Sequence, residues 1–214
     1  MCLRQSVQDE GLYTFVHMAL HDRFPFARFD VRLRQRAFVG AFVASVAVSA
    51  VLASVGAPLT MAAVPGGIVD FEFAGNATQS MRIMAAWGAA GVAAAQLQTW
   101  LDYAYIATYG PSLALAVGLT IGVWARRGVW FGRAGVALSW GALAASAFDA
   151  IENVLLLMQL SGGASEAAAL TAKIAAGAKF VLIIATAVYA LFGAALWSTD
   201  RLIAVVRRAF VGGE

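Results

Sequence analysis

Residues 37–58 read AFVGAFVASVAVSAVLASVGAP, a stretch without a single charged side chain. About 20 consecutive apolar residues in a helix are enough to cross the hydrocarbon core of a bilayer. The rest of the chain has the same character, since 61% of its 214 residues are hydrophobic and 13% are charged. A soluble domain carries about twice that share of charged residues. The composition excludes a soluble enzyme, a disordered protein and a nucleic-acid-binding domain, and it predicts an integral membrane protein.

Three further apolar stretches of similar length follow the first. We predict four membrane-spanning helices, at about residues 37–58, 100–124, 134–159 and 174–198. The predicted fold class is therefore all-α, an integral-membrane four-helix bundle. Residues 59–99 are predicted to lie on the outer side, with an extra helix or half-helix before the second span. One continuous helix from 81 to 124 would be about twice as long as the hydrocarbon core is thick. We also place a kink at Gly110–Pro111.

The two ends of the chain are polar and basic. Residues 1–36 are predicted to be a cytoplasmic or interfacial segment, and residues 199–214 a cytoplasmic tail. An amphipathic helix on the membrane surface is predicted in the first segment, because apolar residues recur there at helical spacing: Leu12, Phe15, Val16, Ala19 and Leu20. His17 and His21 lie one turn apart on this segment, as two metal ligands can, but without a third ligand we interpret them as chance histidines.

The arginines and lysines predict how the chain is oriented in the membrane. Twelve of the fifteen fall in the N-terminal segment, in the loop between the second and third spans, or in the C-terminal tail. By the positive-inside rule both termini lie in the cytoplasm, which agrees with an even number of spans. Many alanines, glycines and arginines beside only two lysines are typical of a GC-rich bacterial genome. We therefore predict a multi-pass protein of a bacterial inner membrane.

Four charged residues fall within the predicted spans or at their edges, and all four belong to the outer half of the bilayer: Asp102, Asp149, Glu152 and Lys179. A charge deep in hydrocarbon costs a few kcal/mol or more, so such residues face the protein interior and find partners. Other polar residues share their helical faces: Tyr105, Tyr109 and Asn153. We predict that these seven residues form one polar cluster between the helices.

The sequence FDAIEN at residues 148–153 places two carboxylates one helical turn apart. Such carboxylates repel, so either one of them holds a proton or Lys179 neutralises one. The favoured interpretation is a salt bridge from Lys179 to Asp149 or Glu152, with Asn153 capping a kink or bonding a neighbouring helix. A ligand or proton site is the main alternative. A site for Mg²⁺ or Ca²⁺ is a weaker one, because Lys179 competes for the same carboxylates; we predict no metal and no cofactor.

The sequence DFEF at residues 70–73 is predicted to lie at the outer mouth of the bundle. One interpretation is a re-entrant lid whose phenylalanine rings lie in the interface while Asp70 and Glu72 face water. The favoured interpretation is an ordinary acidic loop with two aromatic membrane anchors.

The leading functional prediction is a pocket, formed by the polar cluster and opening to the outer side, that binds or transports a small or amphipathic molecule. One alternative is a non-catalytic accessory subunit of a membrane complex. Another is a membrane-embedded enzyme acting on a lipid or isoprenoid, which is less favoured because no nucleophile or metal motif is visible. The expected partners are membrane lipids, a small-molecule ligand, and further copies of the chain or a larger complex. No nucleic acid is expected.

Overall fold

A computed structural model describes residues 23–211, apart from the side chains of Ala209 and Val211. Five helices are present in this range: α1 (Val31–Gly56), α2 (Ile68–Glu72), α3 (Ala77–Ala125), α4 (Val129–Gly162) and α5 (Glu166–Val211). A short 3₁₀ turn, Ala57–Leu59, follows α1, and no strand occurs between residues 23 and 211. The predicted all-α fold is confirmed. The predicted interfacial helix, with His17 and His21, lies outside the described residues.

Four of these helices are long and apolar enough to cross a membrane: α1 together with its 3₁₀ turn, α3, α4 and α5. The chain is therefore a multi-pass membrane protein with the predicted number of spans. The helices run further than the predicted spans do. α3 has 49 residues, which corresponds to roughly 73 Å and exceeds the thickness of the hydrocarbon core.

The first part of α3 is set apart by a break in the backbone. Gly88 has φ 64° and ψ −175°, outside the helical region, and it divides α3 into two helical parts. The first of these two parts is the extra helix predicted before the second span. The backbone stays helical at Gly110 and Pro111, the position of the predicted kink. The break falls at Gly88 because its combination of dihedral angles is open in practice only to glycine.

The spans differ in how much protein surrounds them. In the most apolar 18-residue window of α3, 61% of the residues are buried, whereas in the corresponding window of α1 the share is 6%. By this measure α3 is the most buried span, whereas most of α1 is not buried. Hydrophobic residues exposed on α1, such as Phe42 and Val43, are expected to meet lipid.

The chain divides into two compact units, and each long helix contributes to both. One unit comprises Val39–Ser112 and Leu143–Ile183. We call it the acidic unit because it has six carboxylates but three cations: Asp70, Glu72, Asp102, Asp149, Glu152 and Glu166, with Arg82, Lys173 and Lys179. Its core contains Phe71, Trp87 and Leu156.

The other unit comprises, within the described range, residues 23–38, 113–142 and 184–211. It contains eleven arginines and two aspartates, and we call it the arginine-rich unit. Its core packs around Phe24, Ile121 and Tyr189. The Tyr189 hydroxyl donates a hydrogen bond of 3.0 Å to the carbonyl of Phe131.

Replacing Gly88 by alanine is expected to destabilise the protein. No atom lies within 4 Å of a Cβ added at Gly88, so the cost comes from the backbone alone and amounts to about 1–3 kcal/mol. Gly40→Ala is the matched control, because that added Cβ also meets no neighbour and the residue is helical. Gly40→Ala is expected to leave the protein as stable or slightly more stable. The helical circular dichroism signal, followed during unfolding in detergent, measures the stability of both variants. Equal changes in stability for Gly88→Ala and Gly40→Ala would contradict the prediction.

Candidate functional site

Lys179 lies at the centre of the buried charges in the acidic unit. Its Nζ atom is 2.8 Å from Asp149 Oδ1, 2.8 Å from Glu152 Oε2 and 3.4 Å from Glu72 Oε2. All four residues are buried, and Glu152 has no exposed surface at all. We call Glu72, Asp149, Glu152 and Lys179 the acidic centre.

Two of the three carboxylates come from one face of α4. Asp149 and Glu152 are three residues apart, so both side chains point the same way along the helix. Lys179 reaches them from α5 and contacts both. The salt bridge predicted between Lys179 and one of these two carboxylates is present with both.

Asn153 continues the same face of α4 toward α3. Its Nδ2 donates a hydrogen bond of 2.8 Å to Asp102 Oδ2. Asn153 is buried, whereas Asp102 is partly exposed. The predicted bond from Asn153 to a neighbouring helix is therefore present, and its partner is Asp102. This pair extends the polar cluster from the buried Asn153 to the partly exposed Asp102.

Glu72 departs from the favoured sequence interpretation. That interpretation made residues 70–73 an ordinary acidic loop, and the alternative lid also turned Glu72 toward water. Instead, Glu72 is 9% exposed and Phe71 is 1% exposed. Both interpretations are wrong for Glu72, because its carboxylate joins the acidic centre. Asp70 behaves as a loop residue: its Oδ2 accepts a hydrogen bond of 2.8 Å from the backbone N–H of Gly66.

The packing of the segment between α1 and α3, residues 57–76, explains the position of Glu72. We call it the cap segment. The Trp87 indole N–H donates a hydrogen bond of 2.9 Å to the carbonyl of Leu59, and the Phe71 ring packs on the same indole with centroids 5.5 Å apart. Phe73 stacks on Phe180, the residue after Lys179, at 5.8 Å. The burial of Phe71 and the stacking of Phe73 on Phe180 fix α2 with Glu72 toward Lys179.

The two predicted tyrosines lie beside the centre rather than in it. The rings of Tyr105 and Tyr109 are 4.9 Å apart on α3. Tyr109 is buried and its hydroxyl faces Asp149, while Tyr105 is partly exposed. The structure thus joins Asp149, Glu152 and Lys179 directly, and Asp102, Asn153 and both tyrosines form their surroundings.

The acidic centre has more negative than positive groups. Three carboxylates surround one ammonium, and Oε1 of Glu152 has no hydrogen-bond donor although the residue is fully buried. The Glu72 and Glu152 carboxyl groups lie within hydrogen-bond reach of each other. Burial raises the pKa of Glu72, and Lys179 offsets only part of that effect. A proton on Glu72 lets its O–H donate to Glu152, which removes one surplus negative charge.

The carboxylates of the acidic centre already surround one positive charge, the ammonium of Lys179. Within residues 23–211, no group of three histidine, cysteine, aspartate or glutamate residues has a geometry that could hold a metal. The physical reason at the acidic centre is that the ammonium of Lys179 occupies the point toward which the carboxylates converge.

Comparison with known proteins adds no relative to this picture. The chain matches no protein-family model, no curated protein sequence and no solved structure. The function is therefore argued from the geometry of the site.

Removing the ammonium is expected to be far more damaging than removing one carboxylate charge. Lys179→Met leaves three buried carboxylates without a counter-ion and is expected to cost about 3–5 kcal/mol. Glu152→Gln lowers the charge surplus and is expected to be neutral or stabilising. Lys173→Met is the control, because Lys173 is the only other lysine and is exposed. Thermal unfolding in detergent ranks the variants; equal losses in Lys179→Met and Lys173→Met would contradict the assignment.

The charge on Glu72 is expected to make stability depend on pH. A carboxyl group whose pKa is raised by folding stabilises the protein while protonated. That contribution is lost as the pH rises from about 4.3 through the raised pKa. The groups facing Glu72 are Lys179, Glu152 and Asp149. In the wild type the melting temperature is expected to fall as the pH rises through this range. Glu72→Gln is expected to make that fall smaller, whereas Asp70→Asn is expected to leave it unchanged. Parallel curves for the wild type and Glu72→Gln would contradict this.

Proposed function

We propose that this protein is a multi-pass inner-membrane protein that binds or transports a small cationic molecule at the acidic centre, with a proton as the alternative occupant. The observation that carries the proposal is the ratio of three buried carboxylates to one ammonium. A salt bridge that serves stability alone needs one carboxylate for one ammonium. The surplus calls for a further positive charge, because an unpaired charge in a membrane interior is expensive.

The surplus also explains why a proton and a cation exclude each other. When Glu72 carries a proton, it shares that proton with Glu152, and the surplus of negative charge at the centre falls from two to one. When the proton leaves, the two carboxylates repel, and a cation that binds between them takes over the compensation. The free Oε1 of Glu152 is the ligand atom available for this. Binding of the cation and release of the proton are then coupled by charge balance.

Asp102 and Tyr105 provide the approach to the centre. Both are partly exposed, and both neighbour buried residues of the cluster, Asn153 and Tyr109 respectively. A partly exposed carboxylate attracts a cation before it loses its water. A tyrosine face offers a favourable contact to an organic cation. These features favour a small cation that bears apolar groups, such as a substituted ammonium.

The proposed orientation places both termini in the cytoplasm. The distribution of arginines supports it, since the arginine-rich unit has eleven of them among the described residues while the acidic unit has one. Cytoplasmic segments next to membrane spans are enriched in arginine and lysine. The acidic centre then belongs to the outer half of the bilayer, where it receives a solute from outside the cytoplasm.

A proton-release measurement tests the proposal. Purified protein in weakly buffered detergent with a pH indicator receives tetramethylammonium, sodium or potassium chloride. We expect one of these cations to release about one proton per chain, as charge balance at the centre requires. Asp149→Asn and Glu152→Gln are expected to abolish the release, and Asp70→Asn to retain it. If no cation releases protons from the wild type beyond the level of Asp149→Asn, the proposal fails.

Reconstitution then distinguishes transport from binding. Liposomes that contain the protein and a trapped pH dye receive the effective cation outside. Internal alkalinisation indicates exchange of the cation for a proton across the membrane, and binding without alkalinisation indicates a sensor or receptor. Liposomes with Glu152→Gln protein are the control.

The second candidate is a non-catalytic accessory subunit. It is favoured by the direct contacts of Lys179 with its three carboxylates, which tie α4, α5 and the cap segment together. The little-buried surface of α1 offers a place for a neighbouring membrane protein. A stoichiometric partner that co-purifies from membranes, together with no proton release, would support this candidate.

A further inference from the structure

A groove lies in the arginine-rich unit, and no residue of the acidic centre lines it. Its volume is about 630 Å³, and its walls come from α1, α3 and α5. Most of the lining is apolar, including Leu119, Leu191 and Ala194, while Gln35 and Arg201 stand among the few polar residues. The groove has the size of a small-molecule site, about 300–1,000 Å³.

The charged residues around this groove indicate the charge of the ligand that it would bind. The Arg201 guanidinium lies 4.0 Å from the centroid of the Trp197 ring, which also lines the groove. This contact holds the cation beside the opening. Arg201 forms no ion pair with any residue in the described part of the chain. The groove therefore combines an apolar interior with a cation that pairs with no carboxylate among residues 23–211.

The neighbouring aspartate does not neutralise Arg201. Asp200 binds Arg127 at 2.8 Å and Arg126 at 3.4 Å, so its carboxylate is already shared by two arginines. Eleven arginines face only two aspartates among the described residues of this unit. An anion that approaches the groove meets an excess of positive charge.

We propose that the groove binds one anionic glycerophospholipid, with an acyl chain along Leu119, Leu191 and Ala194 and the phosphate on Arg201. Gln35 is placed to donate a hydrogen bond to the glycerol or phosphate oxygens. Tryptophan and arginine at a span end are the usual neighbours of lipid headgroups. The occupant is a lipid rather than free phosphate because the walls are apolar and free phosphate leaves them uncovered. This site is independent of the proposed cation site.

Native mass spectrometry of the full chain tests this assignment. Detergent-solubilised protein is mixed with equal amounts of phosphatidylglycerol and phosphatidylcholine that carry the same acyl chains. We expect one bound lipid per chain and about a fivefold preference for phosphatidylglycerol, the size of one arginine's attraction to an anionic lipid. Arg201→Gln is expected to remove the preference. Arg207→Gln, an exposed arginine further along α5, is the matched control and is expected to keep it.

A second variant tests the groove rather than the charge. Ala194→Phe places a ring in the groove from an exposed position of α5 and is expected to reduce the binding of both lipids, with an unchanged circular dichroism spectrum and melting temperature. Equal binding of the two lipids by the wild type would overturn the proposal, and so would an equal loss of the phosphatidylglycerol preference in Arg201→Gln and Arg207→Gln. Undiminished lipid binding by Ala194→Phe, or a dimer of the chain without bound lipid, would overturn it as well. Displacement of the lipid by inorganic phosphate alone would likewise show that the acyl chain contributes nothing.

Discussion

The ammonium of Lys179 and its three carboxylate partners hold the acidic unit together. The contacts connect α4, α5 and the cap segment, which are distant in sequence. In a membrane interior no water hydrates these ions, so each ion is stabilised by the others. These contacts act together with the aromatic packing of the cap segment, which brings Glu72 to Lys179. A buried ion pair of this kind is costly to break, because the partner is left uncompensated.

The charges in this interaction do not balance, and the surplus negative charge is the basis of the proposed function. Three carboxylates around one ammonium leave a surplus of negative charge. Burial raises the pKa of Glu72, and a proton on this residue reduces the surplus. The proposed cation site rests on this imbalance, because a salt bridge that serves stability alone needs one carboxylate for one ammonium.

The uneven distribution of charge extends to the whole chain. The acidic unit holds the surplus carboxylates, and the arginine-rich unit holds nearly all the arginines. The two proposals follow this division: a cation at the acidic centre and an anionic lipid at the groove of the arginine-rich unit. In both places the charged side chain is fixed by an aromatic neighbour, Phe180 beside Lys179 and Trp197 beside Arg201.

The sequence by itself determined the four spans, because apolar runs of this length have one stable form in a bilayer. It also favoured a salt bridge from Lys179 to Asp149 or Glu152, since a helix puts residues three apart on one face and buried charges require partners. The structure has both contacts. Only the tertiary structure decided the role of Glu72. Its loop has no periodicity to read, and its position depends on the packing of Phe71 and on the bond between Trp87 and Leu59, 28 residues apart. The groove at Arg201 likewise needs three helices that local sequence does not bring together.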